Sequence, residues 1–205
     1  MQPDYWPVAC RQLSRRDGVF RKLIKAHPGI TLRSRGDAFQ TLARAIVGQQ
    51  SSVKAAEAVW LRFVGVVRVV EPARVLRTAA EKLRAAGLSN RKVEYLQDLA
   101  IHFHEGLLDE ALWPELNDDE IIADLVQVKG IGRWSAEMFL IFRLMRPDVL
   151  PLDDIGLQRA MELHYNGADK LTREAMKKIA EGWRPWSTVA TWYLWRSLEP
   201  IPVEY

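Results

Sequence analysis

The chain has 205 residues, 48% of them hydrophobic, enough for one domain with a substantial core or for two lobes of one. There is no run of 18 apolar residues and no apolar leader within Met1 to Arg16, so neither a membrane span nor a secretory signal is expected; the single Cys10 excludes an internal disulfide and a four-cysteine iron–sulfur site. The net charge of +3 hides an asymmetry: residues 1–100 carry 18 Lys and Arg against 8 Asp and Glu, and residues 101–205 carry 11 against 18, so the first half suits a polyanionic partner as readily as a solubilising role.

Apolar residues recur near the helical period almost throughout. They predict helices over Asp4–Leu13, Gly18–Ala26, Ala38–Gln49, Val53–Val64, Ala79–Ala85, Ser89–His104, Asp118–Val126, Arg133–Met145, Ile155–His164, Thr172–Trp183 and Trp186–Ser197. Punctuation agrees. Gly87 follows one helix, Ser89 can cap the next, and Asp118 and Asp119 suit a helix N-terminus. Pro28-Gly29, Gly130-Ile131-Gly132, Pro147-Asp148 and Pro185 mark turns. Val64–Val70 is β-rich but too short to demand a sheet, and the predicted class is all-α. His102 and His104, two apart on a helix, point to different faces and make no zinc pair.

Arg133–Met145 is apolar on nearly every side and belongs in the interior. Before it stands Val126-Gln127-Val128-Lys129-Gly130-Ile131-Gly132-Arg133. Gly130 and Gly132 allow a sharp turn and uncover amide N–H groups beside the start of a helix, a cradle for an anion such as a phosphate, with the charge of Lys129 next to it. The same residues also describe an ordinary corner between helices. After the helix comes Pro151-Leu152-Asp153-Asp154, a pair of carboxylates that could serve chemistry or merely cap the next helix.

Taken together, Lys129-Gly130-Ile131-Gly132-Arg133-Trp134, the apolar helix and Leu150-Pro151-Leu152-Asp153-Asp154 resemble the signature of the helix–hairpin–helix DNA glycosylase superfamily, and most of all its 3-methyladenine DNA glycosylase II group. Ala45-Ile46-Val47-Gly48-Gln49-Gln50-Ser51, Gly87-Leu88-Ser89-Asn90-Arg91-Lys92, and Trp183-Arg184-Pro185-Trp186-Ser187 followed by Trp192 and Trp195 are similar to further motifs of that group, in the same order. The resemblance implies one glycosylase domain of two helical lobes, residues 35–133 ending in the hairpin and residues 1–34 with 134–205, with an active-site cleft between them. It implies a monofunctional enzyme that flips alkylated, cationic purines such as 3-methyladenine out of duplex DNA and leaves an abasic site. The rival from another class is a non-catalytic helix–hairpin–helix DNA-binding module.

By the same resemblance Asp154 is the catalytic carboxylate, stabilising positive charge on the deoxyribose, while Asp153 serves the cap or the loop. Strand-nicking relatives carry a lysine where this chain has Trp134, so no lyase activity is expected. Trp134, Met138 and Trp195 are the expected walls of the base pocket, because an electron-rich ring attracts a cationic base. Trp6, Trp60, Trp113, Trp183 and Trp192 are read as core. Gln50 falls where relatives place the wedge that fills the gap left by the flipped base, with the alternative of a loop glutamine bonded to its own backbone. Val128, Lys129, Gly130, Ile131 and Gly132 would contact the DNA backbone. No cofactor is expected to be required; a Na+ or K+ ion held by the carbonyls of Val126, Val128 and Ile131 is an expectation from the resemblance alone. The expected partner is duplex DNA with damaged bases, met by a monomer in the cytoplasm at the nucleoid.

Overall fold

A computed structural model describes residues 3–34 and 36–198, and its described residues are all-α with no strand. In chain order the α-helices are α1 (Trp6–Arg16), α2 (Gly18–Ala26), α3 (Ala38–Gly48), α4 (Val53–Val67), α5 (Pro72–Arg77), α6 (Ala80–Ala85), α7 (Asn90–His104), α8 (Asp118–Leu125), α9 (Arg133–Phe142), α10 (Ile155–Tyr165), α11 (Arg173–Glu181) and α12 (Ser187–Leu198), with one 3-10 turn at Trp113–Glu115. None of these helices is long and apolar enough to cross a membrane.

Local chemistry sets the boundaries. Asp17 caps α2 by accepting from Val19 N, and Ser89 caps α7 by accepting from Lys92 N. Asn117 and Glu120 form a reciprocal capping box at the start of α8, behind the Asp118-Asp119 pair. Each such cap contributes about 1 kcal/mol. The β-rich stretch 64–70 continues α4 as far as Val67 and then turns at Arg68, whose φ is +66°. Helix α5, at six residues, is too short to show a period, yet Pro72 at its start is preorganised for a helix. Helix α9 stops at Phe142, three residues short of the expected end. Arg146 N bonds Leu140 O at 2.9 Å, Met145 takes a φ of +52°, and Pro147 follows, a helix stop that periodicity alone does not signal.

The chain divides into two compact units, Met1–Ser34 with Leu140–Tyr205 and Arg35–Phe139. In the first, α12 packs on α10, α2 and α1 around Trp6, Phe20, Trp183 and Trp192, all buried. In the second, α7 packs on α3, α5 and α6 around Phe39, Phe63, Leu96, Leu99 and Trp113. The five tryptophans read as core are all buried. Trp186 is half-buried, stacks on Tyr5 at 5.8 Å and gives its indole N–H to Gln12, so it fastens α12 to α1.

Candidate functional site

The carboxylates after α9 lie in the first unit. Asp154 is the N-cap of α10, with extended backbone, and its Oδ1 accepts from Leu157 N at 2.7 Å and from Trp195 Nε1 at 2.8 Å. Asp154 therefore does serve as a cap, and the cap holds still the carboxylate that the resemblance makes catalytic. Trp195, from α12, lies nearly parallel to Phe142 (5.8 Å, 10°). Phe142 in turn meets the edge of Trp192, over which the Arg196 guanidinium sits at 4.2 Å. This run of rings fixes the Trp195 plane and therefore the direction of its N–H.

Gly156 makes that geometry possible and was not singled out in the sequence. A Cβ there would lie 3.1 Å from Asp154 Oδ1 and 3.2 Å from Trp195 Cδ1. Its signal was a glycine two residues after the carboxylate, where helix propensity would prefer alanine. Asp153 is ion-paired with Arg173 at the start of α11, and Gln158 Nε2 donates to Leu152 O at 2.8 Å. Both contacts hold the loop that delivers Asp154. A cavity of about 180 Å³ lies behind this loop, lined by Leu152, Gln158, Glu162, Lys170 and Arg173 among others. Asp154 and Trp195 do not line it, so it belongs to the loop's support and not to the chemistry.

The glycine hairpin lies in the second unit. Gly130 has a φ of +82°, and a Cβ there would sit 2.2 Å from Cδ2 of Tyr95. Only glycine satisfies both the backbone and the ring beneath it. Lys129 N donates to Asp98 Oδ2 at 2.8 Å and Ile131 N to Val128 O at 3.1 Å, so these two amides are already engaged. The N–H groups of Gly130 and Gly132 have no hydrogen bond among the described residues and remain to meet an anion. Lys129 Nζ is ion-paired with Glu94 at 2.7 Å, which raises its pKa, and Arg133 is paired with Asp119 and Glu137. Sequence reasoning saw the cations and not their partners.

On α9, Trp134 is 38% exposed on the first turn, whereas Met138 one turn later is buried. Between α3 and α4, Gln50 is exposed in a left-handed conformation (φ +54°) and its side chain has no hydrogen bond among the described residues, so the self-bonded alternative does not hold. Its neighbour Gln49, not singled out before, donates Nε2 to Gly130 O at 2.8 Å. The structure brings Asp154 together with Trp195, and the loop bearing Gln50 together with the hairpin. Val126 is partly exposed, Val128 and Ile131 are buried, and Val128 O already accepts one bond, leaving it a single lone pair for a cation. No group of three His, Cys, Asp or Glu that could hold a metal occurs among the described residues.

An all-helical fold, a glycine hairpin and a capped aspartate beyond it describe a class of DNA repair protein. The pattern of the HhH-GPD superfamily of base excision DNA repair proteins matches residues 43–185, and the chain belongs to that superfamily. It is similar to DNA-3-methyladenine glycosylase 1 of Schizosaccharomyces pombe, 33% identical over 193 residues that cover 90% of this chain and 84% of that one. It also matches YfjP of Bacillus subtilis at 31% identity, over 86% of this chain but only 64% of that protein's length. Among solved structures it superposes on a DNA-3-methyladenine glycosidase of Bacillus halodurans with a TM-score of 0.86 and 34% identity, covering 92% of this chain and 88% of that one. The S. pombe 3-methyladenine DNA glycosylase in complex with abasic DNA gives a TM-score of 0.78 at 32% identity, covering 92% and 95%.

Proposed function

We propose that the chain is a DNA glycosylase that excises alkylated purines from duplex DNA and leaves an abasic site. The observation that carries this reading is Asp154 Oδ1, fixed by two N–H donors at a helix N-terminus and set against an aromatic ring. The relatives named as DNA-3-methyladenine glycosylases support the same substrate class.

In this mechanism the bond from the sugar C1′ to the base nitrogen breaks, and its electron pair neutralises the positive charge of the alkylated base. Positive charge builds on the deoxyribose, and the Asp154 carboxylate stabilises it and orients the water that adds to C1′. The proton lost by that water passes to solvent or to the carboxylate. Trp195 and Trp134 stack on or face the cationic base, worth about 0.5–2 kcal/mol per ring, and Met138 lines the apolar wall. Gln50 takes the place of the flipped base. The hairpin, Val128 to Gly132, holds the phosphate through the N–H groups of Gly130 and Gly132, with Lys129 adding charge. A Na+ or K+ ion there would be held by the carbonyls of Val126, Val128 and Ile131 and would supply positive charge beside the hairpin.

We read the enzyme as monofunctional. Strand nicking needs an amine of depressed pKa that attacks the sugar. Trp134 stands where the resemblance puts that lysine, and Lys129 is driven the other way by Glu94. Lys92 is pulled down by burial, but its ammonium is spent on Val47 O and Ser51 Oγ. The test is incubation of the purified protein with methylated duplex DNA. Release of free alkylpurines, no borohydride-trapped covalent adduct, and loss of release in Asp154→Asn with DNA binding kept are the expected results. Binding without any release would leave the non-catalytic module.

A further inference from the structure

Two side chains in the Arg35–Phe139 unit tie the segment between α3 and α4 to its surroundings, and the chemistry above uses neither. Gln49 Nε2 donates to Gly130 O at 2.8 Å, across 81 positions of sequence. Lys92 Nζ, from the first turn of α7, donates to Val47 O at 2.7 Å and to Ser51 Oγ at 3.3 Å. These acceptors lie just before and just after the Gly48-Gln49-Gln50 step. Gln50 itself is exposed, left-handed and without a side-chain partner among the described residues.

We propose that Gln49 and Lys92 are positioning residues that brace Gln50 against the glycine hairpin, so that the element gripping the phosphate and the side chain filling the gap in the duplex act as one body. This rests on the glycosylase reading and deepens it. A flexible loop carrying a long side chain must be ordered at the moment of insertion, and that ordering opposes base flipping. A loop fastened beforehand has already lost that freedom. The Gln49 bond ends on the one hairpin glycine whose position Tyr95 fixes from below, so the brace is anchored to a rigid point. Burial keeps the Lys92 pKa below its ordinary value, in keeping with an ammonium drawn in to serve backbone and hydroxyl acceptors.

The test compares wild type, Gln49→Ala, Lys92→Met and Lys92→Arg on one alkylated base presented in a duplex and in a single strand, which leaves no gap to fill. Loss of one such bond is expected to lower release from the duplex about 3- to 10-fold while leaving release from the single strand unchanged, and Lys92→Arg should recover much of what Lys92→Met loses. An equal loss on both substrates, or no loss on the duplex, overturns the proposal. A second readout needs no base release: affinity for a duplex with a stable abasic-site analogue, relative to undamaged duplex. That ratio should fall in Gln49→Ala and in Lys92→Met; an unchanged ratio in both overturns the brace. If wild type frees no base from either substrate, the glycosylase reading fails, and the affinity ratio still decides the brace.

Discussion

The indole N–H of Trp195 is donated to Asp154 Oδ1 at 2.8 Å, so the residue expected to face the base also holds the carboxylate expected to act on the sugar. Trp195→Phe separates the two roles, because it keeps a ring against Phe142 and removes the donor. Loss of a bond to a charged acceptor predicts a drop in single-turnover base release of about 10- to 100-fold. Trp195→Ala should lose more and should also weaken binding of the cationic base. Equal rates for Trp195→Phe and wild type would remove the N–H from the mechanism.

Gly156→Ala places a methyl 3.1 Å from Asp154 Oδ1 and 3.2 Å from Trp195 Cδ1. Helix propensity favours alanine by about 1 kcal/mol and the crowding opposes it by a similar amount. The melting temperature should therefore change little while base release falls sharply. Calorimetry beside an excision assay checks this. Unfolding in step with lost activity would argue for a purely structural glycine.

Gly130→Ala forces a methyl into the Tyr95 ring at a φ of +82°. The collision and the backbone strain together predict destabilisation of about 2–4 kcal/mol by denaturant titration. Tyr95→Ala in the same chain should relieve the steric part and leave about 1–2 kcal/mol of strain. Additive effects of the two substitutions would contradict the contact.

Glu94→Gln releases Lys129 Nζ from its ion pair. Exposed pairs of this kind contribute little and are screened by salt, so affinity for undamaged duplex should rise by at most about fivefold at low salt and converge with wild type at high salt. Lys129→Gln should do the reverse and reduce the slope of log affinity against log salt by about 1. No change in either variant would place Lys129 outside the DNA contact.

His164 gives or receives a bond with Ser197 Oγ at 2.8 Å, and burial lowers its pKa below 6.5. A histidine depressed in the folded state binds fewer protons than in the unfolded chain over the interval between its two pKa values. Its contribution is present above pH 6.5 and is lost as the pH falls below that value. His164→Gln should flatten this part of the stability profile. The effect is small because the group is largely solvated. An unchanged profile would mean that another group sets the acid limb.

Much of the candidate site was legible because its signals are local. The hairpin glycines, the post-helix aspartates and the helical period each lie within a dozen residues, and the all-α class follows from periodicity. What escaped was set by distance. Nothing near Gln49 announces that its amide reaches Gly130, and nothing near Lys129 announces Glu94 and Asp98 on another helix. Gly156 escaped for a related reason, since its neighbour Trp195 comes from α12. Helix α5 escaped because six residues do not show a period, and the early end of α9 because its stop is made by a backbone bond from Arg146.

The left-handed backbone at Gln50 has a consequence for anyone engineering this fold for durability. A residue with a Cβ is disfavoured in that conformation by about 1–2 kcal/mol, so glycine would be the choice of any screen that rewards heat resistance alone. If Gln50 fills the gap in the duplex as proposed above, such a screen would hand back a sturdier protein that has given up its reach into the helix, and consensus-style improvement should leave this position untouched.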